Sequence, residues 1–354
     1  MSMTNETLSI NKEDDNTNFF VRFFKYFVPW KGDHAGEIIR KVIFIGSIVL
    51  FCSSVNQLTD FLQTDKETLE YAAQIQALEP DFYDDINFDD VEADEYENEN
   101  PELKERKVQS WAKKLLKRND EVVGWIKIPG FNNSENKEYI NFPVMQGEDN
   151  DYYLKRNIDK QFYESGSIFA DYVVPIDKNG QADNITLYGH HMRRLGTSFT
   201  HLAEYKSGVK FLKKHPIVEF NTIYDSNEEY VIFSCFVAAI NESQDNGHLF
   251  DYWRYRNFDD SDYKFETWLD NVNKSSWYSC DIQCDPDDDY LTLSTCSNEV
   301  ANMRWVIVAK KLDEDDDKEA ILASYKEKKD KDIYFPQVWR NVWGNSKKYL
   351  GWSY

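Results

Sequence analysis

The chain has 354 residues, 41% of them hydrophobic and 16% aromatic, enough for one sizeable packed domain with appendages or for two small ones. Its formal net charge of −22 excludes the broad basic face that nucleic-acid phosphates demand, so no nucleic-acid partner is expected. Five cysteines, an odd number without framework spacing, exclude a disulfide scaffold.

Residues 1–41 read as a cytoplasmic lead whose aromatic run, residues 19–27, suits a membrane interface. Residues 42–59 follow as a charge-free, largely apolar stretch between Lys41 and Asp60, close to the minimum that spans a bilayer. Lys31, Arg40 and Lys41 precede it, while Asp60 and Asp65 follow. That asymmetry puts the N-terminus inside the cell membrane and the bulk of the chain outside, as a single-pass protein. A cleaved signal peptide would need a shorter lead and a small-residue cleavage site; a buried core helix is the other reading. Residues 60–78 have helical composition. From Glu79 to Glu102 there are 12 Asp/Glu and no Lys or Arg, so residues 60–102 form a helical and then self-repelling, extended extracellular spacer.

A folded domain is expected over residues 103–311. It opens with an amphipathic helix, residues 105–118, that puts Val108, Trp111, Leu115 and Leu116 on one face. Strand signals then follow at residues 122–128, 141–146, 166–170, 184–188, 217–220, 229–240, 290–295 and 304–310, with a short helical turn near Asp151. Between Asp245 and Ser276 the pattern turns helical, with Asp259, Asp260 and Ser261 as candidate N-caps. About eight short strands with one helical insertion predict a mostly β fold, a closed or nearly closed barrel. Residues 312–354 are a charged and then aromatic extension that packs back on the barrel or meets a partner; composition does not decide between them.

The cysteines differ in setting. Cys52 lies in the apolar span and Cys235 in an apolar strand, while Cys280 and Cys284 lie four apart, where a disulfide would need a tight local geometry that the sequence does not decide. Cys296 ends the alternating run that begins at Tyr290, so a strand delivers its thiol at an end. Arg304 opens the next apolar strand, and the strand Asn184-Ile-Thr-Leu-Tyr188 runs into Gly189-His190-His191-Met192. Thiol, imidazole and guanidinium together can run acyl transfer. A thiolate attacks an amide carbonyl, an imidazole protonates the leaving amine, and a planar fork of fixed charge holds the oxyanion. Each residue also has a plainer reading: a small buried hydrophobe for Cys296, a loop imidazole for His190, a surface ion-pair partner for Arg304. The His190-His191 pair raises a metal, but no second ligand cluster with suitable spacing accompanies it.

From about Asn119 to Lys311 the chain resembles a class B sortase, on Tyr188-Gly-His190-x-Met192, on Thr292-Leu-Ser-Thr-Cys296 and on an Arg opening the next strand. Asn119-Asp-x-x-x-Gly-Trp-Ile126, Phe142-Pro-Val144, Tyr152-Tyr-Leu154 and Gly166-Ser-Ile-Phe-Ala-Asp171 support it. The resemblance implies an eight-stranded sortase-type barrel with an N-terminal helix, a helical insertion between late strands and one transmembrane helix. It implies His190 as general acid/base, Cys296 as nucleophile, Arg304 as substrate and oxyanion stabiliser, and Ser294 and Thr295 beside a substrate Thr. No cofactor or metal is implied. The partners implied are exported proteins bearing a C-terminal sorting signal, cleaved after Thr, and a peptidoglycan precursor or other amine that receives the acyl group. A lysine acceptor would make it a pilin polymerase instead. A plain cysteine peptidase or a non-catalytic surface binding protein on the same barrel are the remaining readings. Asn298, two residues after Cys296, departs from the acid that many class B members carry nearby, and His191 stands where Asn is common.

Overall fold

The computed structural model describes residues 19–82, 106–259 and 262–351. It divides into two units, Met1–Glu67 and Thr68–Tyr354. In the first, α1 (Phe19–Phe27) precedes α2 (Ala35–Gln76), whose early part belongs to this unit. An 18-residue window of α2 has a mean hydropathy of 2.0, so the helix is long and apolar enough to cross a membrane. The expected span of residues 42–59 lies within it. The helical stretch expected after the span is the same helix, because no Gly or Pro interrupts the chain between Gly46 and Pro80. Near its start the Lys41 ammonium donates to the Lys25 carbonyl at 2.6 Å and to Asp33 at 2.7 Å, closing the orphaned C-terminal end of α1.

The second unit begins with the last turns of α2. There the Tyr71 hydroxyl donates to Asp159 at 2.8 Å and the Gln76 amide to the Glu138 carbonyl at 2.9 Å. Glu79 corrects the expectation that the extended spacer starts at that residue. Its carboxylate takes the Lys127 ammonium at 2.7 Å and the Asn141 amide at 2.7 Å, so a local cation outweighs the repulsion of its acidic neighbours. Residues 83–102 of the acidic stretch lie outside the described residues, as does Glu105, the expected first residue of the next helix.

That helix, α3 (Ser110–Arg118), is shorter than expected. Gln109 is extended and gives its N–H to the Ile223 carbonyl at 2.8 Å, so pairing with the barrel takes residues the helical pattern had claimed. Trp111, Ala112 and Leu115 are buried; Val108 and Leu116 are partly so.

The barrel uses β1 (Val122–Lys127), β2 (Asn141–Met145) and β3 (Ile168–Ala170). A small ribbon of β4 (Ile176–Asp177) and β5 (Gly180–Gln181) stands outside it. Next come β6 (Asn184–Tyr188), α4 (Val209–Lys214), β7 (Ile217–Thr222) and β8 (Glu229–Ala238). After the helical insertion, α5 (Phe265–Ser275), come β9 (Tyr278–Ser279), β10 (Tyr290–Cys296) and β11 (Arg304–Lys311). The eight barrel strands close in the order β1-β2-β3-β6-β10-β11-β8-β7. Two pairings, β2–β3 and β6–β10, are parallel, so the thiol's strand and the imidazole's strand run side by side in one direction.

Alternation along β11 explains its continuous apolar run. Trp305, Ile307 and Ala309 face the barrel core, while Val306 and Val308 face a second core with Phe233, Phe236 and the α5 residues Trp268 and Val272. Helix α5 starts at Phe265 behind an extended Lys264 with no side-chain cap, so Asp259 is not its N-cap; Asp260 and Ser261 lie outside the described residues. Cys280 and Cys284 are free thiols, against the local disulfide their spacing admits. The extension carries α6 (Lys318–Ser324), β12 (Lys326–Glu327), which pairs with β9, and α7 (Gln337–Trp343). It packs back on the barrel: Tyr325, Phe335 and Trp339 are buried in the core cluster that holds Trp277 and Trp305.

Candidate active site

Strand pairing settles the first two residues. Cys296 and Arg304 are register partners at the end of the β10–β11 hairpin. Both are half-buried, and the guanidinium points Nη1–H at the Cys296 sulfur from 3.8 Å. The contact puts a fixed cation beside the sulfur, with N–H donors to spare for a further acceptor.

His190 arrives from β6 through Gly189, which is stitched to β10 twice. Its N–H donates to the Ser294 carbonyl at 3.2 Å, and its carbonyl accepts from the Thr295 hydroxyl at 2.7 Å. A Cβ on Gly189 would lie 2.7 Å from the Phe199 ring and 2.8 Å from Ser198 Oγ, so only glycine passes here. The same Ser198 hydroxyl accepts the His190 backbone N–H at 3.1 Å.

The His190 ring is oriented by Nε2 against the Leu154 carbonyl at 2.7 Å. A carbonyl only accepts, so that nitrogen carries the proton and Nδ1 is the basic one. Gly166 makes the approach of this segment feasible: at φ +57° it sits where a Cβ would strike the Leu154 carbonyl at 2.4 Å. Burial holds the His190 pKa below its ordinary value; the Leu154 bond opposes this, and the Lys155 and Arg304 charges add to it. The Arg304 field thus reaches both the sulfur and the imidazole.

His191 is held differently. Its Nδ1 meets the Cys296 carbonyl at 2.9 Å, and burial again lowers its pKa. It grips the Cys296 backbone, whereas His190 stands in the field of Arg304.

Ser294 and Thr295 sit among the supports of the site. Both are buried, the Ser294 hydroxyl pairs with the Tyr252 hydroxyl at 2.7 Å, and the Thr295 hydroxyl is spent on Gly189. Their hydroxyls thus have partners inside the protein, and both residues line the end of β10 next to Cys296.

Sequence reasoning missed three residues. Tyr252, in a short helical turn of the insertion, backs Ser294 and feels the charges of Arg304 and Cys296. Lys206 and Glu299 form an ion pair with side chains 0% and 1% exposed. The Lys206 ammonium also donates to the Ser297 carbonyl at 2.8 Å, and the Ser297 hydroxyl donates to Glu299 at 2.8 Å. The carboxylate sought at Asn298 is therefore present one residue later, turned inward beneath the loop. Asn298 itself takes φ +64°, which Asn tolerates better than most residues. Acidic spacing after Cys296 could have signalled Glu299; nothing local could have signalled Lys206.

The family model for the Sortase domain matches residues 126–312. Sortase B of Staphylococcus aureus is 30% identical over 198 residues, covering 55% of this chain and 72% of that protein. Sortase B of Listeria monocytogenes is 31% identical over 186 residues, 52% of this chain and 66% of that one. A solved Staphylococcus aureus sortase B–substrate complex aligns with a TM-score of 0.48 at 29% identity, covering 58% of this chain and 85% of that chain.

Proposed function

The chain belongs to the sortase family, class B, and is a sortase-type cysteine transpeptidase; on that premise we propose which residues carry the reaction and what it joins. Cys296 is the nucleophile, His190 the general acid/base and Arg304 the oxyanion stabiliser. The observation that carries this reading is the Arg304 N–H aimed at the Cys296 sulfur from 3.8 Å, with His190 in the same field.

The substrate is the C-terminal sorting signal of an exported protein, cut after Thr. His190 takes the thiol proton as sulfur bonds to the Thr carbonyl carbon, and Arg304 holds the resulting oxyanion. The C–N bond then breaks, His190 returns its proton to the leaving amine, and a thioester remains. A cell-wall amine attacks that thioester and loses a proton to His190, and the departing thiolate recovers it. Ser294 and Thr295 hold the wall beside the substrate Thr, with Tyr252 behind them. The membrane side belongs to the same proposal. Lys31, Arg40 and Lys41 before the span and Asp60 and Asp65 after it support an N-terminus inside and the barrel outside.

The test is mass spectrometry of the full-length chain in detergent, incubated with Thr-Gly and Thr-Asn peptides with and without glycine or lysine amines. An acyl adduct on Cys296, resolved faster by an amine than by water, is the expected result. Which amine resolves it separates cell-wall attachment from pilin polymerisation. Cys296→Ala and His190→Ala each abolish turnover, and His191→Ala keeps most of it. Turnover surviving in Cys296→Ala would end the assignment.

A further inference from the structure

Residues 297–303 turn the chain from the nucleophile to the arginine, and their shape is imposed from outside. Asn298 and Asn302 both sit at positive φ, +64° and +60°, a region most side chains avoid. Three carbonyls of the turn are gripped by other segments. Ser297 is held by Lys206 at 2.8 Å, Glu299 by the Trp343 indole N–H at 3.3 Å, and Asn302 by the Gln244 amide at 3.0 Å. Gln244 is followed by Asp245, whose buried carboxylate accepts the Gln337 N–H at 2.7 Å and the Tyr334 hydroxyl.

The histidine loop is tied to the same segment. Arg193, three residues after His190, donates to the Gly351 carbonyl at 2.7 Å, and the Tyr349 hydroxyl bonds Glu204. The extension has its own footing: Trp339 is buried and its indole donates to the Ser346 carbonyl at 2.8 Å, while Lys347 donates to the Lys328 carbonyl at 2.6 Å. The extension itself lies beyond residue 312, where the family match ends.

We propose that residues 334–351 brace the cysteine loop and the histidine loop against each other, with Trp343 the positioning residue for the cysteine loop. The inference rests on the catalytic assignment above. Acyl transfer is sensitive to misplacement of about 1 Å in its reacting groups, and this extension touches both loops that set that placement.

The test compares Trp343→Phe, which keeps the ring and loses the N–H, with a chain lacking residues 344–354 and with Val342→Ala, an exposed control. Trp343→Phe lowers kcat about 3- to 10-fold, the scale of one hydrogen bond, with KM and Tm unchanged. It also slows alkylation of Cys296 by iodoacetamide. The truncation lowers kcat further and speeds amide exchange in residues 190–196 and 297–303, while Val342→Ala matches the parent. Unchanged kcat and alkylation in both variants overturn the brace, as does a loss that merely follows Tm. A parent chain that forms no Cys296 adduct overturns the catalytic assignment and the brace with it; an active parent matched by both variants overturns the brace alone.

Discussion

Two charged contacts flank the turn after Cys296, and they differ in their surroundings. Lys206 and Glu299 are sealed from water, and Ser297 supplies further hydrogen bonds to both. Arg304 and Cys296 are half-buried and meet loosely, at 3.8 Å. A sealed, fully paired ion pair has no capacity left for a substrate, so its work is to hold shape. In the proposed mechanism, an open, loosely held cation turns from the sulfur to the developing oxyanion without breaking a contact as tight as the buried pair.

If that division holds, the two pairs respond to substitution in different currencies. The largest effect is on stability. Glu299→Gln leaves the Lys206 charge buried without its counter-charge and costs about 3–5 kcal/mol, read by urea unfolding. The double change Lys206→Met with Glu299→Leu recovers most of it, because the loss comes from the orphaned charge. Next is rate: Arg304→Lys cuts turnover about 100-fold, since a point charge cannot reproduce the fork, while the urea midpoint stays put. Should Arg304→Lys destabilise the chain as much as Glu299→Gln does, the distinction between the pairs is broken.

A smaller effect sharpens the contrast through pH. Burial lowers the His201 pKa from 6.5 to about 4, and His190 and His191 are lowered in the same direction. A base whose folded pKa lies below its unfolded one binds protons better when unfolded. Stability is therefore full above pH 6.5 and is lost as the pH falls from there towards 4. His201 stacks on Tyr139 at 3.6 Å. In His201→Gln, Tm falls by roughly 3 °C less than in the parent between pH 7 and pH 4. The smallest effect concerns His190, the proposed general base: Lys155→Gln removes one of the cations that lower its pKa, so the acid limb of kcat/KM moves to higher pH.

Much of the barrel was legible from local pattern. Strand alternation and apolar runs are properties of consecutive residues, and all eight expected barrel strands stand where the pattern placed them. The boundary errors share a cause. Residue 109 looked helical and Glu79 looked like spacer, yet each is claimed by a partner distant in sequence, the Ile223 carbonyl and the Lys127 ammonium.

The sequence by itself determined the chemistry available: a thiol, an imidazole and a guanidinium, each at a strand end, and an apolar stretch long enough for a membrane. These are read from residue type and short-range period, which the chain carries before it folds. Only the tertiary structure decided that Cys296 faces Arg304 across one hairpin, that His191 grips backbone while His190 meets the arginine's field, and that Lys206 is buried against Glu299. It also decided that the aromatic extension belongs to the core. Apart from the hairpin pair Cys296 and Arg304, eight positions apart, those outcomes depend on pairing between residues tens to hundreds of positions apart, and burial, which sets their energies, exists only once the barrel has closed.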